Sequence, residues 1–333
     1  ADACGVDQIV FGSHLPEGSA GAGIAAVVLS ELTEPEQRQV AGGNLARLLG
    51  EREAAPHELA ADPAKQRLAL TRPYGFVDVH GHLRENVAPT EEYPGANQLV
   101  EEMDRTGIAL CWISSLWTGP SGNDLVAEAV RQYPDRLVPF AAADPRDPNI
   151  TQELTRCFEQ LGMKAIKVHP VQHQTPVDDA CYEPIWRFAD ERRCLVVTHA
   201  RCFDAERDAF IDVACKHPDM TLMLYHAGRT WEAVDNFIAV ARACPNVLLE
   251  ITFSNNLDGI IEYLVERVGV ARVFFGTDIG VRAAASQVGW ALGARLDETV
   301  RQPLMRDNGL NLLRRMGALP QAHAQPAPLG QST

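Results

Sequence analysis

Between residues 76 and 278 one phrase recurs eight times: a short apolar, β-branched run, a polar residue near its end, then a stretch long enough for a helix. The runs are Phe76 to Leu83, Ala109 to Ser115, Leu137 to Asp144, Ala165 to Pro170, Leu195 to Ala200, Thr221 to Gly228, Val247 to Phe253 and Arg272 to Asp278. Near-continuous apolar character is what a strand buried on both faces shows, and parallel strands need a helical crossover between each pair. Eight such units predict an α/β fold of the (β/α)8 TIM-barrel type over residues 75–318 rather than an open sheet. The 333 residues exceed one barrel of about 250 residues, so an extension is expected as well.

That extension has its own signature. Slid by 264 positions without a gap, Gly5-Val6-Asp7-Gln8-Ile9-Val10-Phe11-Gly12-Ser13-His14 falls on Gly269-Val270-Ala271-Arg272-Val273-Phe274-Phe275-Gly276-Thr277-Asp278. At the same offset Asn44-Leu45-Ala46-Arg47-Leu48-Leu49 falls on Asn308-Gly309-Leu310-Asn311-Leu312-Leu313. The spacing is about one barrel length, so residues 1–52 read as a partial repeat, the last strand and helix of a preceding barrel. A lone strand and helix lack a barrel to cover their apolar faces, and loose docking or swapping is expected of them. Residues 53–74, with Pro56, Pro63 and Pro73 among Ala, Glu and Lys, read as a linker, and 319–333 as a disordered tail.

The net charge of −14 argues against a nucleic-acid partner, which requires a basic face. No run approaches the roughly 20 apolar residues that span a bilayer, so a cytoplasmic protein acting on a small molecule is expected, as a homo-oligomer or with a tandem barrel partner. Eight cysteines without a CxxC pair read as reduced thiols.

A barrel carries its chemistry at the C-terminal ends of its strands. Asp78-Val79-His80-Gly81-His82 ends the first run, and period-two alternation turns both histidines to one side. Alone the pair is a weak signal. His199 then closes Leu195-Val196-Val197-Thr198-His199, His226 closes Leu224-Tyr225-His226, and Asp278 closes Phe275-Gly276-Thr277-Asp278.

With these residues the chain resembles the amidohydrolase superfamily over residues 76 to about 316. Gly162-Met163-Lys164-Ala165-Ile166-Lys167-Val168-His169-Pro170 and Phe275-Gly276-Thr277-Asp278 look like its amidohydrolase-2 branch, which holds carboxylate decarboxylases such as aminocarboxymuconate-semialdehyde decarboxylase and lactone hydrolases. The resemblance implies a divalent metal, Zn2+ first and Mn2+ second, held by His80, His82, His199 and Asp278, with His226 as general acid/base. Nitrogen and oxygen donors independently suit those ions. Lys167 is similar to the carbamylated lysine of phosphotriesterase-like relatives. One ion is the favoured expectation, with two if Lys167 is carbamylated; a free amine would instead meet a substrate carboxylate.

Metal-bound water, whose pKa falls from about 15.7 to about 7, makes hydrolysis of a small carboxylate, lactone, ester or amide the leading expectation, with Asp278 or His226 taking its proton. Decarboxylation of an unsaturated or aromatic acid is the alternative, and a degenerate barrel serving only in binding is a third reading. Arg84, Arg201 and Arg229 follow the ligand-bearing strand ends and, with His169, are expected to bind substrate. Trp117 and Ser254-Asn255-Asn256 follow the second and seventh runs, where barrel loops shape a pocket. His14 stands at the repeat position of Asp278 and is not expected to be a ligand.

Overall fold

The computed structural model describes residues 4–50, 75–83 and 95–323. The expected linker, Arg84 and the end of the tail lie outside these residues. Three short helices come first: α1 (Ala20–Val28), α2 (Glu34–Arg38) and α3 (Asn44–Leu49). The barrel strands are β1 (Phe76–Leu83), β2 (Ile108–Ser115), β3 (Leu137–Pro139), β4 (Ala141–Ala142), β5 (Ala165–Val168), β6 (Leu195–His199), β7 (Thr221–Tyr225), β8 (Val247–Glu250) and β9 (Val273–Phe274). Between and after them run α4 (Ala96–Thr106), α5 (Pro120–Gln132), α6 (Ile150–Glu159), α7 (Pro170–His173), α8 (Glu183–Glu191), α9 (Asp204–Lys216), α10 (Trp231–Ala243), α11 (Ile260–Val268), α12 (Ala284–Gly293), α13 (Glu298–Gln302) and α14 (Asn308–Met316).

Every strand pair is parallel, in sequence order. The third expected run is broken at Phe140 into β3 and β4, which pair with β2 and β5 respectively. The strands form two sheets, β1–β3 and β4–β9, and β1 meets the turn after β9 through hydrogen bonds from Val79 N–H to the Phe275 carbonyl (3.1 Å) and from His82 N–H to that of Ile279 (2.8 Å). Two apolar clusters result. Val79, Leu110, Trp112, Val197, Met223 and Phe274 fill the barrel with α14, and the other strand faces pack on the outer helices.

Residues 4–50 copy the last unit in three dimensions. Gly5 and Gly269 share φ 81° and ψ 143°, each heading one turn of 3-10 helix. The Asn44 amide caps the carbonyls of Val6 and Ile9 as the Asn308 amide caps those of Val270 and Val273. Phe11 N–H reaches the Val40 carbonyl at 3.1 Å, and Phe275 N–H that of Leu304 at 3.2 Å. His14 and Asp278 both take positive φ, 56° and 58°.

Loose docking of this segment is not what the structure shows. Helix α1 lies against α12, its own repeat equivalent, so closely that a Cβ on Gly21 would stand 2.4 Å from the Gly289 carbonyl. Only glycine permits that approach of two backbones. Ala22, Ala25 and Leu29 share the main core as a result.

Candidate active site

The site sits where β1 and the strand-8 turn converge. The register of β1 against β2 slips between Asp78 and Gly81. Such a bulge re-aims side chains beside an active site. Gly81 must stay small there, because a Cβ would meet Cys111 Sγ at 2.6 Å. Asp78, buried, fixes the turn by accepting from His80 N–H (2.9 Å), Thr277 N–H (3.0 Å) and the Thr277 hydroxyl. It thereby ties the first strand to the eighth.

Three donor atoms meet as a result. His80 Nε2 and His82 Nε2 are 3.2 Å apart, and Asp278 Oδ1 lies 3.4 Å from the first and 3.3 Å from the second. His80 Nδ1 is 3.1 Å from Glu250 Oε2, and His82 Nδ1 faces the Ser114 carbonyl (3.4 Å) and hydroxyl (3.2 Å). A neutral imidazole carries one N–H. Burial, with a cationic neighbourhood, drives His80 well below its ordinary pKa and lowers that of His82 too. With each Nδ1–H donated outward, two bare lone pairs and a carboxylate face one another. Such a trio repels itself unless a cation lies between its members. Metal–donor bonds of about 2.0–2.1 Å in a tetrahedral shell place donors about 3.3–3.4 Å apart, which matches the triangle found here. The donor set fits a divalent metal.

Glu250 holds His80 in that orientation. It also accepts from His226 N–H (3.2 Å) and from the Thr252 N–H and hydroxyl. Burial pushes its carboxyl up to about 8, and a cation at the neighbouring triangle would draw it down. His80, His226 and Glu250 also bring one donor atom each within 4.8 Å of one another. Because the Glu250 oxygens are already taken by four donors, this trio is a frame for the triangle.

Sequence reasoning passed over Glu250 because the seventh run seems to continue to Phe253. Strand β8 stops at Glu250, so the rule of a polar residue at the strand end did apply. Arg282 was missed for a different reason. It reaches back four residues so that Nε holds Asp278 Oδ2 at 2.8 Å. Burial would raise the Asp278 carboxyl, yet His82, His226 and Arg282 together hold it below the usual range.

The other expected residues fall into two groups. His226 turns Nδ1 to the Thr252 carbonyl (2.9 Å), and among the described residues its Nε2 has no hydrogen-bond partner; its ring lies 5.0 Å from that of His80. Burial lowers it to about 3, so it is neutral. Both His226 and Asp278 have positive φ, 73° and 58°, strain that clusters at functional sites. Lys167 Nζ lies 4.1 Å from the Tyr225 ring centre, and burial brings its pKa down to about 7.

His199 is not part of the triangle. It stacks on His169 at 4.2 Å, meets His226 edge-on at 4.5 Å, and borders a cavity of about 800 Å3 with Arg201, Phe203, Phe210 and Val177. Arg201 is less free than expected, since Glu206 takes its Nε at 3.2 Å. Arg229 lies over the Phe253 ring, 4.5 Å from its centre, and has no ion pair among the described residues. Trp117 is exposed at the loop after β2.

A buried donor triangle on a parallel barrel defines the class, and the family follows. A family profile described as amidohydrolase matches residues 77–315, and the chain belongs to that family. The γ-resorcylate decarboxylase of Rhizobium radiobacter is 39% identical over 71 residues, 19% of this chain and 22% of that protein, so the matched stretch spans about a fifth of that relative's length. Among solved structures, a 2,6-dihydroxybenzoate decarboxylase complexed with 2,6-dihydroxybenzoate superposes with TM-score 0.58 at 18% identity, over 73% of this chain and 99% of that one. A dihydroxybenzoic acid decarboxylase from Polaromonas sp. JS666, with bound manganese and 2-nitroresorcinol, gives 0.57 at 17% identity over 72% and 97%. At these identities the likeness is one of fold, and it agrees with the expected barrel. Among the described residues no helix is long and apolar enough to cross a membrane.

Proposed function

We propose that this chain is a metal-dependent decarboxylase of a hydroxylated aromatic acid, in place of the hydrolase that metal-activated water first suggests. The observation that carries the reading is the triangle of His80, His82 and Asp278, together with a buried Lys167 whose pKa lies near 7 and a cavity with an aromatic and aliphatic wall that reaches the site through His199. The names of the decarboxylase relatives support it. Zn2+ and Mn2+ both suit the donors, and manganese in one relative favours the second.

His80, His82 and Asp278 would hold one ion, and His199, outside that triangle on the cavity side, would be a further ligand. When bound, it supplies positive charge that orients and polarises the acid. Lys167 stays a free amine and pairs with the carboxylate, while Arg229 holds the opposite edge of the ring. His226 Nε2, an acceptor because Nδ1–H is spent on Thr252, takes the phenolic proton. Electron density then rises on the ring carbon bearing the carboxylate. That carbon takes the proton back from His226 Nε2, the carbon–carbon bond breaks, CO2 leaves, and the bonding pair restores the aromatic ring as a phenolate, while Asp278 stays ionised throughout.

The test is a panel of hydroxybenzoates, lactones and esters with the Mn2+- and Zn2+-loaded protein. CO2 and a phenol released from a hydroxybenzoate are expected, with loss of turnover in Asp278→Asn. Hydrolysis of a lactone or ester, with every hydroxybenzoate inert, would overturn decarboxylation.

A further inference from the structure

The apolar side chains that residues 4–50 leave in solvent are not scattered. Six of the eleven exposed large apolar residues among the described residues lie there: Val10, Leu15, Ile24, Leu45, Leu48 and Leu49. An exposed cluster of that kind marks an interaction surface.

The repeat identifies what the surface awaits. At the 264-residue offset Val10 corresponds to Phe274, Leu15 to Ile279, Ile24 to Val288, Leu48 to Leu312 and Leu49 to Leu313, and each of these is buried. Leu45 corresponds to Gly309, where a Cβ would stand 2.6 Å from Val77 Cγ1 of β1. Leu312 and Leu313 share the inner cluster with Val77 and Val79, and Ile279 bridges to Gly81. Each exposed residue thus sits where its twin touches the body of a barrel, and most of those contacts are to a first strand.

The way the segment is held fits the same picture. Ala25 and Gly289 are equivalent positions of the two copies, and a Cβ on Gly289 would stand 2.3 Å from that of Ala25. Gly21, one turn earlier, approaches Gly293, one turn later. Helices that touch at equivalent positions and run in opposite directions about that point surround a local two-fold axis.

We propose that residues 5–50 are the eighth strand–helix unit of a second barrel of the same fold. Its other seven βα units lie upstream on the same polypeptide and seat on Val10, Leu15, Ile24, Leu45, Leu48 and Leu49. The α1–α12 contact is then the interface between two barrels related by a pseudo-two-fold axis. A complete copy of this chain does not fit the face, because its own β9 and α14 already fill the position that the segment would take.

The test is the intact mass of the polypeptide from its native source, captured with an antibody to residues 308–323. Adding seven-eighths of a barrel of about 250 residues to 36.4 kDa predicts roughly 60 kDa or more. In that polypeptide two unfolding transitions are expected, and Leu48→Asp with Leu49→Asp lowers only one of them, leaving the activity of residues 75–318 in place. A native polypeptide of 36.4 kDa overturns the proposal. So does a discrete dimer of the 333-residue chain that the same double variant dissolves, since the face would then belong to a second copy.

Discussion

Replacing Glu250 with glutamine tests whether the triangle depends on the group behind it. The carboxylate accepts from four donors: His80 Nδ1–H, His226 N–H, and the Thr252 N–H and hydroxyl. A glutamine has one oxygen to offer and an amide nitrogen that donates. If the oxygen faces Thr252, the nitrogen confronts His80 Nδ1–H. His80 then either rotates or moves its proton to Nε2, where it occupies the lone pair that the metal needs. If the oxygen faces His80, two Thr252 donors lose their acceptor, and each buried orphan costs about 1–3 kcal/mol.

Either way the metal binds more weakly. Loss of such an outer partner costs typically 10–100-fold in metal affinity, about 1.4–2.7 kcal/mol. Competition against a chelator, with Mn2+ and then Zn2+, measures the ratio directly, and circular dichroism checks the fold. A folded Glu250→Gln protein whose metal affinity stays within about twofold of the parent would refute the orienting role. Thr252→Val is the companion. It removes one donor to Oε1 while leaving the His80 contact, so a smaller loss is expected.

Removing Arg229, which has no partner carboxylate among the described residues, is expected to raise KM for a hydroxybenzoate about tenfold with a smaller change in kcat, the loss of one charge-assisted contact; an unchanged KM would place it elsewhere. Gly289→Val forces a side chain into the Gly21 carbonyl, so hydrogen exchange over residues 20–28 should accelerate while metal affinity is kept; unchanged protection would mean that α1 is not held there. His173 is buried against the Tyr182 hydroxyl (2.8 Å), and burial lowers its pKa from 6.5 to about 4. Its neutral form is the folded one, so its contribution is complete above pH 6.5 and falls by up to about 3 kcal/mol as pH drops to 4. Urea titrations from pH 7.5 to 4 should show the gap between the parent and His173→Gln closing; a constant gap would refute the assignment.

How much of this was legible in the sequence depends on whether a signal was local. Strand positions were, because a parallel strand buried on both faces must be apolar along its length, and the polar residues at the ends then stand out. His80, His82, His226 and Asp278 were visible for that reason. The depth of His199 was not, since its ring direction depends on His169 and on the turn after β6 rather than on its place in the run. Glu250 was hidden by Ile251 and Phe253, which extend the apolar run past the true end of the strand. Arg282 was hidden by the left-handed turn at Asp278, which bends the chain back so that a residue four positions on reaches the carboxylate. Helix–helix contact through Gly21 and Gly289 leaves no periodic trace, because what matters there is an absent side chain.

The same turn explains why one carboxylate serves two purposes. An aspartate with positive φ costs on the order of 1–3 kcal/mol, and the structure repays it by satisfying the turn from both sides. Thr277, just before it, is fixed by Asp78 of β1, and Arg282, just after it, is fixed by Asp278 itself. The Oδ1 atom is therefore aimed at His80 and His82 while Oδ2 is committed to a guanidinium. In the N-terminal copy the turn survives at His14, with φ 56° against 58°, but its neighbour in place of Thr277 is Ser13, and among the described residues no first strand supplies an aspartate to hold it. Its imidazole points to Glu17 instead, at 3.6 Å. The backbone of the unit is thus carried by its own sequence, through Gly5, Asn44 and the turn, whereas the site requires the strand from the far side of the barrel. Decarboxylation or any other chemistry here belongs to the closure of β1 against the eighth strand, and a change that loosens that seam, such as Asp78→Ala, should cost metal and fold together.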